Sequence, residues 1–342
     1  MSTVVVTGGS GYIAGFVIAE FLNHGYDVRT SLRDLTKLDA LKQGLQGWVD
    51  DEAATRLTGF EADLTRAAGW SEGFAGIDGV IHVASPVGTG TETEEELTHV
   101  AKGGTLNVLQ ACVEAGIQRV VMTSSGGACT PRVSVGAVVL DETFWSDPTS
   151  NELNPYRKSK TAAERAAWDF ANTHGIGLTT ILPGTVFGPI MRPGVISSNV
   201  MLLRLLNGMV PAIVNTPLDV TDVRDLARLH RLAYENDAAI GERFLATGPA
   251  VSLPDVAKLY REHFADSKIP TKTFPNWMSY VLSLAPSLRQ LPPMVHRKYS
   301  HTTKKAQSLL GWTQRSPEET VMDAAQSLAE HGMVWTDILV TK

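Results

Sequence analysis

Apolar residues gather in short blocks through the first half of the chain, and longer stretches of helical periodicity separate them. Val4-Val5-Val6 opens the series and predicts a strand over Thr3–Val6, with a helix over Gly11–His24 behind a glycine turn. Further strands are expected at Val28–Leu32, Arg56–Glu61, Gly79–Ala84, Val120–Thr123 and Leu178–Leu182. Helices are expected at Leu35–Leu45, at Glu94–Ala115 closed by Gly116, and at Pro155–His174 closed by Gly175. Repeated strand–helix crossing predicts an α/β fold, a doubly wound parallel sheet of the Rossmann type buried between two layers of helices.

Beyond Pro183 the pattern loosens. Prolines and glycines accumulate from Pro183 to Gly194, as in loops that line a site, and helices return near Ser197–Leu206, Val223–Glu235, Leu253–Phe264 and Pro317–His331. Pro270–Lys298 has no clear period and reads as part of a lid over the carboxyl edge of the sheet. The expected organisation is a nucleotide-binding region over residues 1–185 that also carries the catalytic groups. Residues 186–342 form a smaller, interleaved C-terminal substrate-binding lobe, with about 215–250 returning to the Rossmann core.

Composition narrows the classes of function. The 342 residues are 43% hydrophobic and 19% charged, and the net charge of −6 comes with no basic run, so no nucleic-acid partner is expected. No apolar stretch is long enough to span a bilayer, and a strand starting directly behind Met1 leaves no room for a signal peptide. Two cysteines make no disulfide framework, so a cytoplasmic setting is expected. No cluster has metal-ligand spacing.

The chemistry starts at Thr7-Gly8-Gly9-Ser10-Gly11-Tyr12-Ile13-Ala14-Gly15. A glycine turn between a first strand and a first helix lets backbone N–H groups approach a pyrophosphate, whose charge then sits at the helix N-terminus. An acid at the end of the second strand would hold the ribose of NAD. Here Leu32 stands at that place with Arg33 beside it, which favours NADP(H), Arg33 holding the 2′-phosphate and Lys37 being a second candidate. Asp34 would serve the ribose only if the register slipped by two residues. Asp63-Leu64 follows the third strand at the adenine side. Val83, Ala84 and Ser85 are small residues that let the chain pass beneath the dinucleotide, and His82 among its apolar neighbours reads as a core histidine.

Tyr156 and Lys160 stand four apart on one helix, so they share a face. That helix follows the fifth strand, which ends Thr123-Ser124-Ser125-Gly126-Gly127 and presents hydroxyls at the same sheet edge. A phenol exchanges protons poorly near neutral pH, and a nearby ammonium favours its ionised form. Lys160 is expected to supply that charge while holding ribose hydroxyls, Ser125 to fix a carbonyl oxygen, and Tyr156 to protonate it after hydride transfer.

On these residues the chain resembles the extended short-chain dehydrogenase/reductase family. Within it the likeness is to the branch of dihydroflavonol reductases, cinnamoyl-CoA reductases and microbial aldehyde or carbonyl reductases. The likeness includes Gly104–Leu109, Pro183–Pro189, and Leu310-Gly311-Trp312 with Pro317-Glu318-Glu319. It implies Ser125, Tyr156 and Lys160 as the catalytic set, Arg33 at the 2′-phosphate, and Ala84, Pro183, Gly184, Thr185 and Val186 around the cofactor. It also implies a monomer or a homodimer, the latter packed through Glu94–Ala115 and Pro155–His174. Two departures stand out: Ala14 replaces the third glycine with Gly15 following, and an asparagine-rich turn after the fourth strand is absent.

Three activities compete on such a scaffold. The first is an NADPH-dependent reductase of aldehydes or ketones, with an aromatic or bulky apolar small-molecule carbonyl substrate. Gly126, Gly127, Ala128, Phe187, Val195, Met201, Leu202 and Trp277 are pocket material or core. The second is a nucleotide-sugar epimerase or dehydratase, against which Leu32-Arg33 counts. The third is a non-catalytic NADP(H) sensor, disfavoured by the intact serine, tyrosine and lysine.

Overall fold

A computed structural model describes residues 2–86, 92–132, 135–264, 268–285, 288–289 and 291–335. Its centre is a sheet of seven parallel strands: β1 (Thr3–Val6), β2 (Asp27–Leu32), β3 (Leu57–Glu61), β4 (Gly79–His82), β5 (Arg119–Thr123), β7 (Gly177–Pro183) and β11 (Arg243–Ala246). β6 (Val139–Leu140) lies outside it and pairs with β14 (Ser300–His301). The order across the sheet is β11-β7-β5-β4-β1-β2-β3. The chain winds outward from β1 to β3 and then crosses back to β4, opening a crevice above the carboxyl ends of β1 and β4 where such sheets take ligands.

Both faces of the sheet's centre are covered, so the central strands β1, β4 and β5 carry buried apolar runs. Val4 and Val6 enter a core shared with α1 (Tyr12–Asn23) and α8 (Val223–Glu235). Val5 points the other way, into a core with α4 (Trp70–Gly73), α5 (Glu94–Glu114) and α6 (Pro155–His174). α5 and α6 pack along one another within the chain. Local chemistry sets the ends of both. Thr93 and Glu96 form a reciprocal capping box at the start of α5, and Asn154 caps α6, where Pro155 needs no N–H partner. Gly175, at φ +72°, ends α6 in a left-handed turn.

The remaining elements are α2 (Lys37–Gly44), α3 (Asp51–Thr55), α7 (Asn199–Leu206), α9 (Leu253–His263), α10 (Met278–Leu282), α11 (Leu291–Val295), α12 (Lys304–Leu310) and α13 (Pro317–Glu330). A small sheet joins β12 (Ala250–Ser252), β10 (Pro217–Asp222) and β8 (Thr185–Phe187), and β9 (Ile213–Val214) pairs with β13 (Thr273–Phe274). Three differences from the sequence expectation matter. β4 stops at His82, because the next two amides, Val83 N and Ala84 N, turn to the Thr7 hydroxyl at 3.0 Å each. Arg243–Ala246 is a seventh strand. The segment Pro270–Lys298, without a period in the sequence, holds β13, α10 and α11, its residues 286, 287 and 290 lying outside the described set. No helix among the described residues is long and apolar enough to cross a membrane.

Candidate active site

The glycine turn is packed so tightly that side chains are excluded. Gly8 has φ +76°, and a Cβ there would lie 2.9 Å from the Ala84 Cβ; one on Gly9 would lie 2.3 Å from Thr30 Oγ1. Gly8 N donates to Ser31 Oγ and Gly9 N to Ser31 O, which lashes the turn to β2. Gly11 precedes α1 in extended conformation with no side-chain cap, and no acid lies in the first turn. The positive end of α1 is therefore left for an external anion, and the cradle fits a dinucleotide.

Thr7, Tyr12 and Ala14 are buried and brace this cradle from within. The Thr7 hydroxyl accepts from two amides, so its one proton goes to His82 Nδ1 at 2.9 Å. His82 thus accepts at Nδ1, and burial followed by the charge of Lys160 lowers it to about 3: a neutral core histidine. The Tyr12 hydroxyl donates to Pro189 O at 3.0 Å, pinning α1 to the chain beyond β8.

At the adenosine side, Leu32 is buried and Arg33 exposed. Arg33 has no ion pair among the described residues. The Asp34 carboxylate instead takes the amide and hydroxyl of Thr36, so it is not spent on Arg33. Lys37 is exposed at the start of α2. Asp63 is bonded by Thr65 N and Oγ1, both at 2.8 Å. Leu64 is half-buried; its carbonyl takes Asn107 Nδ2 from α5 at 2.9 Å, and a Cβ on Gly104 would meet its Cβ at 2.8 Å.

The carboxyl ends of β5 and β7 and the start of α6 meet over a cavity of about 500 Å³. Ser125, Tyr156 and Lys160 all line it. So do Ile13, Val83, Ser85, Thr123 and the run Pro183–Val186. Lys160 is enclosed, its Nζ donating to Thr123 O at 3.1 Å, and burial lowers it to about 8 against the opposing pull of Glu164. Ser125 Oγ accepts from Gly127 N at 3.0 Å, and Gly126 and Gly127 let Pro183, Thr247 and Arg157 close in. The Thr247 hydroxyl is buried on the cavity wall with no partner among the described residues.

One expectation needs correcting. The Tyr156 phenol is raised, not lowered: burial outweighs the Ser125 hydroxyl and the Arg157 charge, and Lys160 is not among the groups acting on it. Loss of water around the phenol is the dominant influence, and it favours the neutral form.

Of the suggested pocket residues, Gly126 and Gly127 line the cavity. Ala128, Phe187 and Leu202 are core, Val195 borders a small void near Gly11, and Trp277 is 62% exposed. Absent from the sequence reading is a charged far wall. Arg297 grips Asp219 with two bonds of 2.7 Å, and the His301 ring bridges Asp219 and Cys129 O. Also unread is the buried Glu164, which accepts from Ser124 Oγ (2.6 Å), Thr180 Oγ1 (2.8 Å) and Arg243 Nε (2.9 Å). Its spacing, four residues beyond Lys160 on the same face, was the available signal.

The sheet order, the glycine cradle and a serine–tyrosine–lysine set on one cavity define an extended short-chain dehydrogenase/reductase. The profile described as "NAD dependent epimerase/dehydratase family" matches residues 4–246, and the chain belongs to that family. It is 36% identical over 276 residues to cinnamoyl-CoA reductase 2 of Medicago truncatula, covering 79% of each chain. It is 32% identical over 342 residues to tetraketide alpha-pyrone reductase 1 of Arabidopsis thaliana, covering 97% of each. Among solved structures it is similar to Gre2 from Candida albicans in complex with NADPH. The TM-score there is 0.79 at 27% identity, over 97% of this chain and 99% of that one.

Proposed function

We propose that this protein is an NADPH-dependent reductase that converts an aldehyde or ketone to an alcohol, with Tyr156 as proton donor. The observation that carries the reading is the convergence of Ser125, Tyr156 and Lys160 on one cavity that reaches Ile13 in the first turn of α1, just behind the glycine turn. When bound, the reduced nicotinamide supplies the hydride. Arg33 and Lys37 hold the 2′-phosphate, and the open start of α1 holds the pyrophosphate. Lys160 presents its remaining N–H donors to the ribose hydroxyls. Ser125 donates to the substrate carbonyl oxygen and aims it at Tyr156. The raised phenol stays protonated through neutral pH, so it is a loaded acid whenever the carbonyl oxygen gains negative charge.

The cavity volume falls within the range of small-molecule sites, roughly 300–1,000 Å³. Val83, Leu218, Pro293 and Met294 give it an apolar side suited to an aromatic or bulky carbonyl compound. Relatives named for reducing cinnamoyl-CoA and dihydroflavonol support that substrate class. Both cysteines are buried and free, as a reducing cytoplasm permits.

The test is NADPH consumption with a panel of aromatic aldehydes and ketones, repeated with Tyr156→Phe. We expect turnover in the wild type. The variant should bind NADPH unchanged and lose roughly 10²–10⁴-fold in kcat. Turnover by Tyr156→Phe at the wild-type rate would remove the proton-donor role.

A further inference from the structure

We infer that Arg192, carried on the loop beyond β8, binds a phosphate oxygen of the dinucleotide. The residue lies 182 positions after Ser10, yet its Nη2 donates to the Ser10 carbonyl at 3.0 Å, at the crest of the glycine turn. Two glycines make room for that approach. A Cβ on Gly15 would lie 3.1 Å from Met191 Sδ, and one on Gly44 would lie 3.5 Å from Arg192 Cδ. The Met191–Arg192 segment therefore lies over α1 and the end of α2, and with Gly11, Tyr12 and Val195 it encloses a void of about 10 Å³.

The electrostatics of this placement lack one member. Arg192 is half-buried, and loss of water opposes its charge with no counter-charge acting back. Among the described residues no carboxylate pairs with it, whereas Arg243 and Arg297 each meet one and Arg224 meets two. Among the described residues its hydrogen bond is to a carbonyl, which leaves guanidinium donors for another acceptor. The uncapped start of α1 adds positive potential at the same turn. Two positive features at one turn, with no carboxylate paired to Arg192 among the described residues, make a site for an anion that the ligand brings.

The inference rests on the nucleotide reading of the glycine turn. It makes the lobe beyond β8 part of cofactor binding, so that this loop is tied down when the nucleotide is held. Either the pyrophosphate or the 2′-phosphate supplies the oxygen, and paired measurements with NADPH and NADH separate them.

The experiment is equilibrium titration of wild type, Arg192→Met and Arg192→Lys with each nucleotide, by nicotinamide fluorescence and calorimetry, without substrate. We expect Arg192→Met to weaken NADPH at least roughly tenfold, the order of one charge-assisted hydrogen bond, and Arg192→Lys to recover part of it. An equal loss for NADH assigns the pyrophosphate, and a loss confined to NADPH assigns the 2′-phosphate; both support the inference. Wild-type affinity in Arg192→Met, with an unchanged melting temperature in the unliganded protein, overturns it while leaving the nucleotide reading intact. Failure of the wild type to bind either nucleotide overturns both. Should Arg192→Met not fold, Arg192→Lys decides: NADPH affinity equal to wild type, with the salt dependence of binding unchanged, also overturns the inference.

Discussion

Lys160 donates its ammonium to the carbonyl oxygen of Thr123 across 3.1 Å, at the point where β5 ends and the reaction cavity begins. This bond fixes the amine without neutralising it. A cation enclosed in protein with a carbonyl for a partner is a standing cost to the fold, and the cost is measurable.

In the folded chain burial lowers Lys160 from the ordinary lysine value of 10.5 to about 8. A folded value below the unfolded one means that the unfolded state binds the extra proton between those two pH values, so stability rises with pH across that window. The penalty is full below about pH 8 and is relieved on approaching pH 10.5. At about 1.4 kcal/mol per unit it is worth roughly 3 kcal/mol. Lys160→Met removes it, minus about 1 kcal/mol for the lost hydrogen bond. We expect the variant to be the more stable protein at pH 7 by roughly 2 kcal/mol, with the difference vanishing before pH 10.5 and reversing there. Urea denaturation of both proteins at the two pH values checks this; a less stable variant at pH 7 contradicts it.

Arg33 is the cation at the end of β2 without an ion pair among the described residues. Arg33→Ala should raise the dissociation constant of NADPH by roughly 10–100-fold, the order of one or two charge-assisted hydrogen bonds, and leave NADH unmoved. Titration of both nucleotides reads the effect directly. Equal weakening of the two would show that the side chain acts on something other than the 2′-phosphate.

How much of this was legible in the chain depends on the range of the signal. Pro155–His174 is found to the residue because Asn154, Pro155 and Gly175 mark its ends locally. Val223–Glu235 is found because Asp222 caps an amphipathic run. Arg243–Ala246 carries no such mark: its four residues are all buried, so nothing alternates, and an arginine opens it. The same holds within the site. The glycine turn and the Tyr156–Lys160 spacing are local patterns, and so is the Ser124-Ser125 strand end. The Asp219–Arg297 pair joins positions 78 apart, and its arginine comes from a segment with no period. The opposite shift of Tyr156 was hidden for a related reason. Charge proximity can be guessed from i, i+4 spacing, whereas loss of water depends on everything that closes over the ring.

Gly9 faces Thr30, whose buried hydroxyl donates to Val6 O at 2.7 Å. An added Cβ would meet Thr30 Oγ1 at 2.3 Å and Cγ2 at 2.9 Å, and neither atom can retreat within a packed sheet. Gly9→Ala should cost about 1–3 kcal/mol in stability. Thr30→Ala removes both clashing atoms, so the double variant should lose less than the sum of the single ones. Strict additivity in chemical denaturation would mean that the turn relaxes elsewhere.

Glu164 gives the last test, because it connects the fold to the pH behaviour of the site. Its carboxylate is fully buried and receives Ser124, Thr180 and the Arg243 guanidinium, which in turn lies 3.6 Å above the Trp145 ring. Glu164→Gln leaves that guanidinium buried without its counter-charge, at a cost of about 3–5 kcal/mol. The same substitution removes the negative charge that holds Lys160 up. Lys160 then loses its proton at a pH lower than about 8, so the fall in kcat/KM for NADPH on the alkaline side should move to lower pH. A destabilised variant whose alkaline limb stays in place would reduce Glu164 to a purely structural residue. A shifted limb shows that the charge buried beneath Lys160 sets the pH range over which the enzyme holds its nucleotide.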